Sequence, residues 1–405
     1  MNKKILMKIG LVCPASLPAV QFGGILFLCV DLAREISELG HNVTIYTSNL
    51  DFANDGTTFN KNLPKEEKIQ NFTIKRTNVL FRYSLFYVNP GMYFQMLKDT
   101  PDVIHTVGIK SFQSIIAAII SKQKGIPLVI SDQGGLTTHP FLDTSGILKK
   151  ILYKIQFPLV KFIIKQATKI TVPNEYEKNI FKKLTDESKI EIISNGINLN
   201  TLIPSNNNFK EKFKISGNFI LFVGRFSHSK GIDILLRAIH SIKNNSKLNA
   251  QKFVIMGVDF GYQEEMYNLI NELDIKNLIH VIRNPERSDV ISAYQECEFL
   301  ILPSRWELSP LVPLEGFAFK KTIISTDTDG IPYTVKNNIN GLLFQPENFE
   351  ELSKLILELI SNPKKCTSLG ESGYNMVQEE SNSKIMSKKT LQVYQKLIHN
   401  VKNDQ

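Results

Sequence analysis

The stretch "NFILFVGRFSHSKGIDILLRAIHSI", residues 218–242, decides the fold. It opens as a short apolar strand, turns at Gly224, and closes as a helical pattern from Ile232 to Ile242. A strand handed to a helix through a loop is the repeating unit of a parallel sheet with crossover helices. The same rhythm continues in "KFVIMG", "LIHVIR", "EFLILP", "KTIIST" and "GLLFQ", with helices such as "EEMYNLINEL" between them. It also runs upstream, in "MKIGLVC", "HNVTIYT", "DVIHTV", "PLVISD", "KITVPN" and "IEIISN". The helix "GILFLCVDLAREISELG" stops at Gly40, as a helix terminus should.

At 405 residues the chain is too long for one ordinary core, so two domains of similar size are expected. The polar stretch 198–218, rich in Asn and Ser, cannot build a core and reads as the linker. The fold class is therefore α/β, with two doubly wound Rossmann-like parallel-sheet domains. Their boundaries are expected at 1–200 and 201–375, and residues 376–405 form a C-terminal helical segment that could pack back on the N-terminal domain.

Hydrophobic residues make up 42% of the chain and charged residues 21%, which excludes a disordered or fibrous protein. The four cysteines are scattered without a C-x-x-C, so no zinc site or disulfide framework is expected, and a cytoplasmic setting suits them. No apolar run is long enough to span a bilayer. The formal net charge of +9 favours anionic partners: sugar nucleotides, acidic lipid surfaces or nucleic acid.

Each domain opens with a loop suited to phosphate. After the first strand, Gly23 and Gly24 stand at a helix start, where backbone can approach a ligand and N–H groups point outward. The spacing is not G-x-G-x-x-G, and no acidic residue follows strand two, which argues against a dinucleotide-dependent dehydrogenase. In the second domain Arg225 and Lys230 lie between a strand and a helix, where they could clamp a diphosphate. In "LPSRWELSPLVPLEGFAFKKTIIST", residues 302–326, Pro310 and Pro313 require the helix to begin between them. That sets Glu307 on the preceding loop and Glu315 in or near the first turn. A first-turn glutamate can simply cap free N–H groups; two carboxylates at a sheet's carboxyl end can equally accept bonds from vicinal hydroxyls.

Residues 147–169 carry Lys150, Lys154, Lys161 and Lys165 near one helical face, opposite Ile151, Leu152, Ile155, Leu159 and Phe162, with Phe157 on the apolar side. This fits a helix lying on anionic lipid and equally a surface helix packed on its own domain; Pro158 should interrupt either.

Taken together, these motifs resemble the retaining glycosyltransferases of GT-B family four, marked by E-x7-E, here Glu307 to Glu315. "ELGHNVTIYTS", "DVIH", "IISNGIN", "VGRFSHSKGID" and "NNINGLLFQPENFEEL" match in order, over residues 7 to about 360. The resemblance implies two domains facing across a cleft and a nucleotide-diphosphate sugar held by the second. Arg225 and Lys230 would meet its phosphates and Glu315 its ribose. Glu307 would act at the donor sugar, helped by backbone amides of residues 308–312, including Ser309, Leu311 and Val312. Gly23 and Gly24 would approach the diphosphate from the other side. His105 is the candidate acceptor-side catalytic residue, although the family's H-x-H appears here as His105 followed by Val107, and Gln133 stands where a histidine is frequent. Leu308, Ser309 and Pro310 replace the usual glycines and should stiffen that loop.

The activity implied is a retaining, metal-independent hexosyl transfer, without cofactor, to a glycan or lipid-linked acceptor. It would serve surface glycan or glycoconjugate synthesis, in the cytoplasm or peripherally on the cytoplasmic membrane face. The rival reading is a GT-B chain without activity, serving as a subunit or glycan-binding partner. A nucleic-acid binder would explain the charge but not the glutamates.

Overall fold

The computed structural model describes residues 6–52, 57–83, 85–134, 136, 147–204, 208–248 and 251–403, leaving aside the side chains of 147–155 and 401–403. Its chain divides into two compact units: Met1–Asn195 with Ser383–Gln405, and Gly196–Asn382.

The first unit contains β1 (Lys8–Val12), α1 (Gly24–Glu38), β2 (Asn42–Ser48), β3 (Glu66–Ile69), β4 (Phe72–Thr77), β5 (Phe81–Tyr83), β6 (Phe86–Val88) and α2 (Gly91–Asp99). It continues with β7 (Val103–Val107), α3 (Phe112–Lys124), β8 (Leu128–Ser131), α4 (Ile147–Gln166), β9 (Lys169–Val172), α5 (Glu175–Phe181) and β10 (Ile190–Ile192). Eight strands order as β10-β9-β8-β7-β1-β2-β4-β3, parallel except for the β3–β4 pair, while β5 and β6 form a separate antiparallel hairpin. The order of strand addition reverses between the parallel neighbours β1 and β7, whose register pairs Leu11 with His105.

In the second unit lie α6 (Phe209–Lys212), β11 (Asn218–Val223), α7 (Ile232–Ile242), β12 (Gln251–Gly257), α8 (Gln263–Glu272), β13 (Ile279–Arg283), α9 (Arg287–Glu296) and β14 (Leu300–Leu302). After them come α10 (Leu311–Ala318), β15 (Ile323–Thr326), α11 (Ile331–Thr334), β16 (Leu342–Phe344), α12 (Phe349–Ser361) and α13 (Pro363–Glu379). Here the all-parallel order is β13-β12-β11-β14-β15-β16, the 3-2-1-4-5-6 pattern of a doubly wound nucleotide-binding sheet. Strand β11 buries Phe219, Ile220, Leu221 and Phe222, because a central parallel strand is covered on both faces. Helix α7 answers with Ile232, Leu235, Leu236, Ile239 and Ile242, each worth about 1.5–3 kcal/mol when fully buried. With the chain reversing between β11 and β14, the loops after these two strands become neighbours at the sheet's carboxyl edge.

The last helix, α14 (Ser383–Asn403), belongs to the first unit and packs along α1. Ser383 Oγ donates to Glu35 Oε1 at 2.6 Å, and Tyr394 is fully buried. Pro158, expected to interrupt α4, sits inside that helix on its exposed side.

Candidate functional site

Two loops build the site of the second unit. The first leaves β11 at Gly224 and enters α7 at Gly231. Gly231 has φ 64°, and a Cβ there would lie 1.9 Å from the carbonyl oxygen of Pro303, so only glycine lets this loop touch the exit of β14. Lys230, immediately before it, forms an ion pair with Glu307 on the second loop. Both side chains are about four-fifths shielded from solvent. Arg225 lies with its guanidinium carbon 4.6 Å from the Phe260 ring centroid, a cation–π contact.

Helix α10 begins at Leu311 with Pro310 as its N-cap, and Pro313 occupies the third helical position, where a missing N–H removes no intrahelical bond. Glu315 therefore falls in the second turn, not the first, and the capping explanation is corrected: no acidic residue lies in that first turn. Its charge is instead matched from α9. Arg287 Nη2 donates to Oε1 at 2.6 Å and Tyr294 Oη to Oε2 at 2.8 Å. Burial, then the neighbouring carboxylate, pushes the Tyr294 hydroxyl well above its ordinary pKa, so it remains a donor. Ionised carboxylate oxygens have about four lone-pair sites between them, so Glu315 keeps acceptor capacity beyond these two bonds. Ser309, Leu311 and Val312 are half-buried around the start of α10.

The structure thus brings Lys230, Glu307 and the start of α10 together within the second unit. Sequence reasoning missed Arg287, Tyr294 and Arg305. Arg287 gave no signal, being 28 positions from Glu315. Arg305 did give one, as a cation two residues before Glu307, and its donors all find partners (below).

In the first unit Gly23 is the N-cap of α1 with φ 101°, a conformation that excludes most side chains, and Gly24 is the first helical residue. His105 lies in the middle of β7 rather than at its end. It is 3% exposed; Nδ1 is bonded to the Tyr394 hydroxyl at 2.5 Å and Nε2 to Ser131 Oγ at 2.7 Å. Burial lowers its pKa to about 3. A buried ring bonded at both nitrogens fits a core role, and nothing in this arrangement singles it out for proton transfer from an acceptor. Gln133 instead pairs with Asn195, each amide donating to the other at 3.0 and 2.8 Å.

Fold and site define a doubly wound unit carrying paired glutamates and cations at its switch point. The sequence model of "Glycosyl transferases group 1" matches residues 205–376, and that of "Glycosyltransferase Family 4" matches residues 22–201. The chain belongs to this glycosyltransferase family. An uncharacterized glycosyltransferase of Methanocaldococcus jannaschii is 30% identical over 264 residues, 64% of this chain and 66% of the relative, just short of two thirds of its length. The UDP-Gal:alpha-D-GlcNAc-diphosphoundecaprenol alpha-1,3-galactosyltransferase of Escherichia coli is 26% identical over 302 residues, 71% of this chain and 75% of that one. Among solved structures, sucrose-phosphate synthase from Thermosynechococcus elongatus superposes with a TM-score of 0.79 at 18% identity, over 97% of this chain and 99% of the other. The fold is GT-B.

Proposed function

We propose that the protein is a retaining glycosyltransferase that moves a hexosyl group from a nucleotide-diphosphate sugar to a glycan or lipid-linked acceptor. The observation that carries the reading is the meeting of Lys230 and Glu307 on the loops after β11 and β14, where an open α/β sheet binds its ligand. Lys230 and Arg225 take the diphosphate, Glu315 the ribose, and Glu307 the donor sugar. The first N–H groups of α10, at Leu311 and Val312, and the amide of Ser309 add donors. Gly23 and Gly24 offer the start of α1 to phosphate. A departing diphosphate is stabilised by these fixed cations and helix termini, so the reading needs no resident metal or cofactor. The uridine donor and diphospholipid acceptor named for the Escherichia coli relative make UDP sugars and lipid-linked glycans the first substrates to try.

The acceptor reading includes peripheral contact with an anionic membrane. Helix α4 exposes Phe157 and Leu159 beside Lys161 and Lys165, so Leu159, expected on the packed stripe, faces outward; the side chains of Lys150 and Lys154 lie outside the described residues. Lys161 and Lys165 line one recess with Lys183 and Lys189. The β5–β6 hairpin exposes Phe81, Tyr83 and Leu85, and its Phe86 shares a groove with Leu159 of α4. No Asp or Glu occurs in 78–98 or 144–174. Apolar tips flanked by lysines without carboxylates fit a lipid interface.

The test is a pair of variants. Glu315 contacts the donor before and during reaction, so Glu315→Gln should weaken nucleotide binding and raise the donor KM with a smaller fall in kcat. Glu307 meets charge that grows as the bond to diphosphate loosens, so Glu307→Gln should lower kcat about 10²-fold or more while the nucleotide still binds. Variants that lose only melting temperature, keeping rate and affinity, would overturn the assignment. No hydrolysis or transfer with any nucleotide sugar would favour the non-catalytic, glycan-binding reading.

A further inference from the structure

Arg305 donates six hydrogen bonds from the second loop and takes no part in the proposed chemistry. Its side chain is 11% exposed, and all five N–H groups of its guanidinium have acceptors. Nη1 donates to Asp233 Oδ1 at 2.7 Å and to the His228 carbonyl at 2.9 Å. Nη2 donates to Asp233 Oδ2 at 2.7 Å and to Glu347 Oε2 at 2.8 Å, and Nε to Glu347 Oε1 at 2.6 Å. The backbone N–H of Arg305 adds a bond to the Ser229 carbonyl at 2.9 Å. One side chain therefore joins three separate segments: the 228–233 turn around Lys230, the 303–310 loop around Glu307, and the turn between β16 and α12.

We infer that Arg305 is a positioning residue that fixes the spacing between Lys230 and Glu307. The acceptors flank Lys230 on both sides, at positions 228, 229 and 233, and the arginine itself is two residues from Glu307. A loop with Leu308 and Pro310 buried behind it has little freedom other than a swing about this strap. Two carboxylates on one cation also show that charge alone is not its purpose, because Asp233 already neutralises it. Burial opposes its charge, but the bonds to Asp233 and Glu347 outweigh that and raise its pKa. The planar fork, grasping one carboxylate on each of two edges, is geometry that lysine cannot copy. Misplacement by about 1 Å can cost about 10²-fold in rate, so the strap acts on catalysis through residues it never joins to substrate.

This inference rests on the donor-site reading of Lys230 and Glu307, and its test separates the two. The full chain is titrated calorimetrically with UMP and UDP, GMP and GDP, and AMP and ADP, and turnover is followed as hydrolysis of the sugar nucleotide of the base that binds. The variants are Arg305→Lys, Arg305→Met, Asp233→Asn and Lys230→Ala. With the strap in place as argued, Arg305→Lys keeps monophosphate affinity within about twofold, weakens the diphosphate about tenfold, and lowers kcat at least tenfold, with Arg305→Met further along the same line. Asp233→Asn should follow Arg305→Lys. A merely structural arginine would lower the melting temperature and the binding stoichiometry alike for mono- and diphosphate, leaving kcat per folded site unchanged, and that result overturns the inference. If Lys230→Ala reduces diphosphate binding while Arg305→Lys does not, the strap is wrong and the donor site stands. If no nucleotide binds wild type, or Lys230→Ala binds mono- and diphosphate as wild type does, the donor-site reading fails and the strap with it.

Discussion

Removing Arg287 should harm the protein more than neutralising the glutamate it serves. The Glu315 side chain is 11% exposed and holds one charged and one neutral hydrogen bond, whereas the Arg287 side chain is 34% exposed. Arg287→Ala leaves a buried carboxylate with only Tyr294 for company. Breaking a fully buried pair costs about 3–5 kcal/mol, and the partial exposure of Arg287, with water able to follow its departure, brings this to about 2–3 kcal/mol. Glu315→Gln removes the charge that needed a partner; its amide oxygen still accepts, and Arg287 reaches water, so about 1 kcal/mol is expected. The Arg287→Ala/Glu315→Gln double variant should be less destabilised than the sum of the singles, since the second change relieves what the first exposed. For a unit of this size 1 kcal/mol moves the midpoint by about 2–4 °C, so calorimetric melting of the second unit should fall roughly 7 °C for Arg287→Ala and roughly 3 °C for Glu315→Gln. A Glu315→Gln loss equal to or larger than that of Arg287→Ala, or strict additivity, would show that the carboxylate is not the group in need of compensation.

Two further outcomes concern the first unit. His105 has a folded pKa of about 3 against about 6.5 in the unfolded chain, so the unfolded state takes up the proton first and stability falls as pH drops below about 6.5. From pH 7 to pH 5 this amounts to about 2 kcal/mol; the melting difference between those pH values should shrink by that amount in His105→Asn, and an unchanged difference would refute the assignment. On vesicles containing phosphatidylglycerol, co-sedimentation should fall with salt, and replacing Lys161, Lys165, Lys183 and Lys189 by Gln should weaken it by about 1 kcal/mol per lysine; sedimentation unchanged by the fourfold variant, or by Phe81→Ser with Tyr83→Ser, would leave the face an ordinary surface.

All twelve strands named from sequence exist, because each is a short apolar run closed by a glycine, proline or polar turn, and central parallel strands need nothing subtler. Between Asn49 and Asp102 the reading was silent, and the structure places β3 to β6 and α2 there. The cause is visible in "FTIKRT": β4 alternates, but its third inward position is Arg76, 3% exposed and bonded to the carbonyls of Leu17 and Pro64. A cation at a core position erases the hydrophobic period. The site divides in the same way. Lys230, Glu307 and Glu315 were legible since local order sets their loops, whereas Arg287 reaches Glu315 only through the packing of α9 on the sheet. His105 misled for a related reason: what fills its surroundings is Tyr394, 289 residues away on a helix whose place no pattern discloses.

The charge of the chain now has a location. Around the loops of the second unit these carboxylates are ion-paired: Glu307 with Lys230, Glu315 with Arg287, and Asp233 and Glu347 sharing Arg305. With Arg225 these four cations and four carboxylates cancel in formal charge. On the donor-site reading, binding proceeds by exchange of partners, with Lys230 leaving Glu307 for phosphate and Glu307 turning to the sugar. On that reading donor arrival and release of Glu307 are one event, which is why a rigid strap between the two loops matters. The excess sits elsewhere. Residues 78–98 and 144–174 together hold eight Lys or Arg and no Asp or Glu, close to the whole net charge of +9. A screened field falls away within about 10 Å at 0.1 M salt, so charge on α4 and its flanks acts on what lies directly beside that helix. On the proposed reading that neighbour is an anionic membrane carrying the acceptor, and the donor is recognised by the geometry of the second unit's loops.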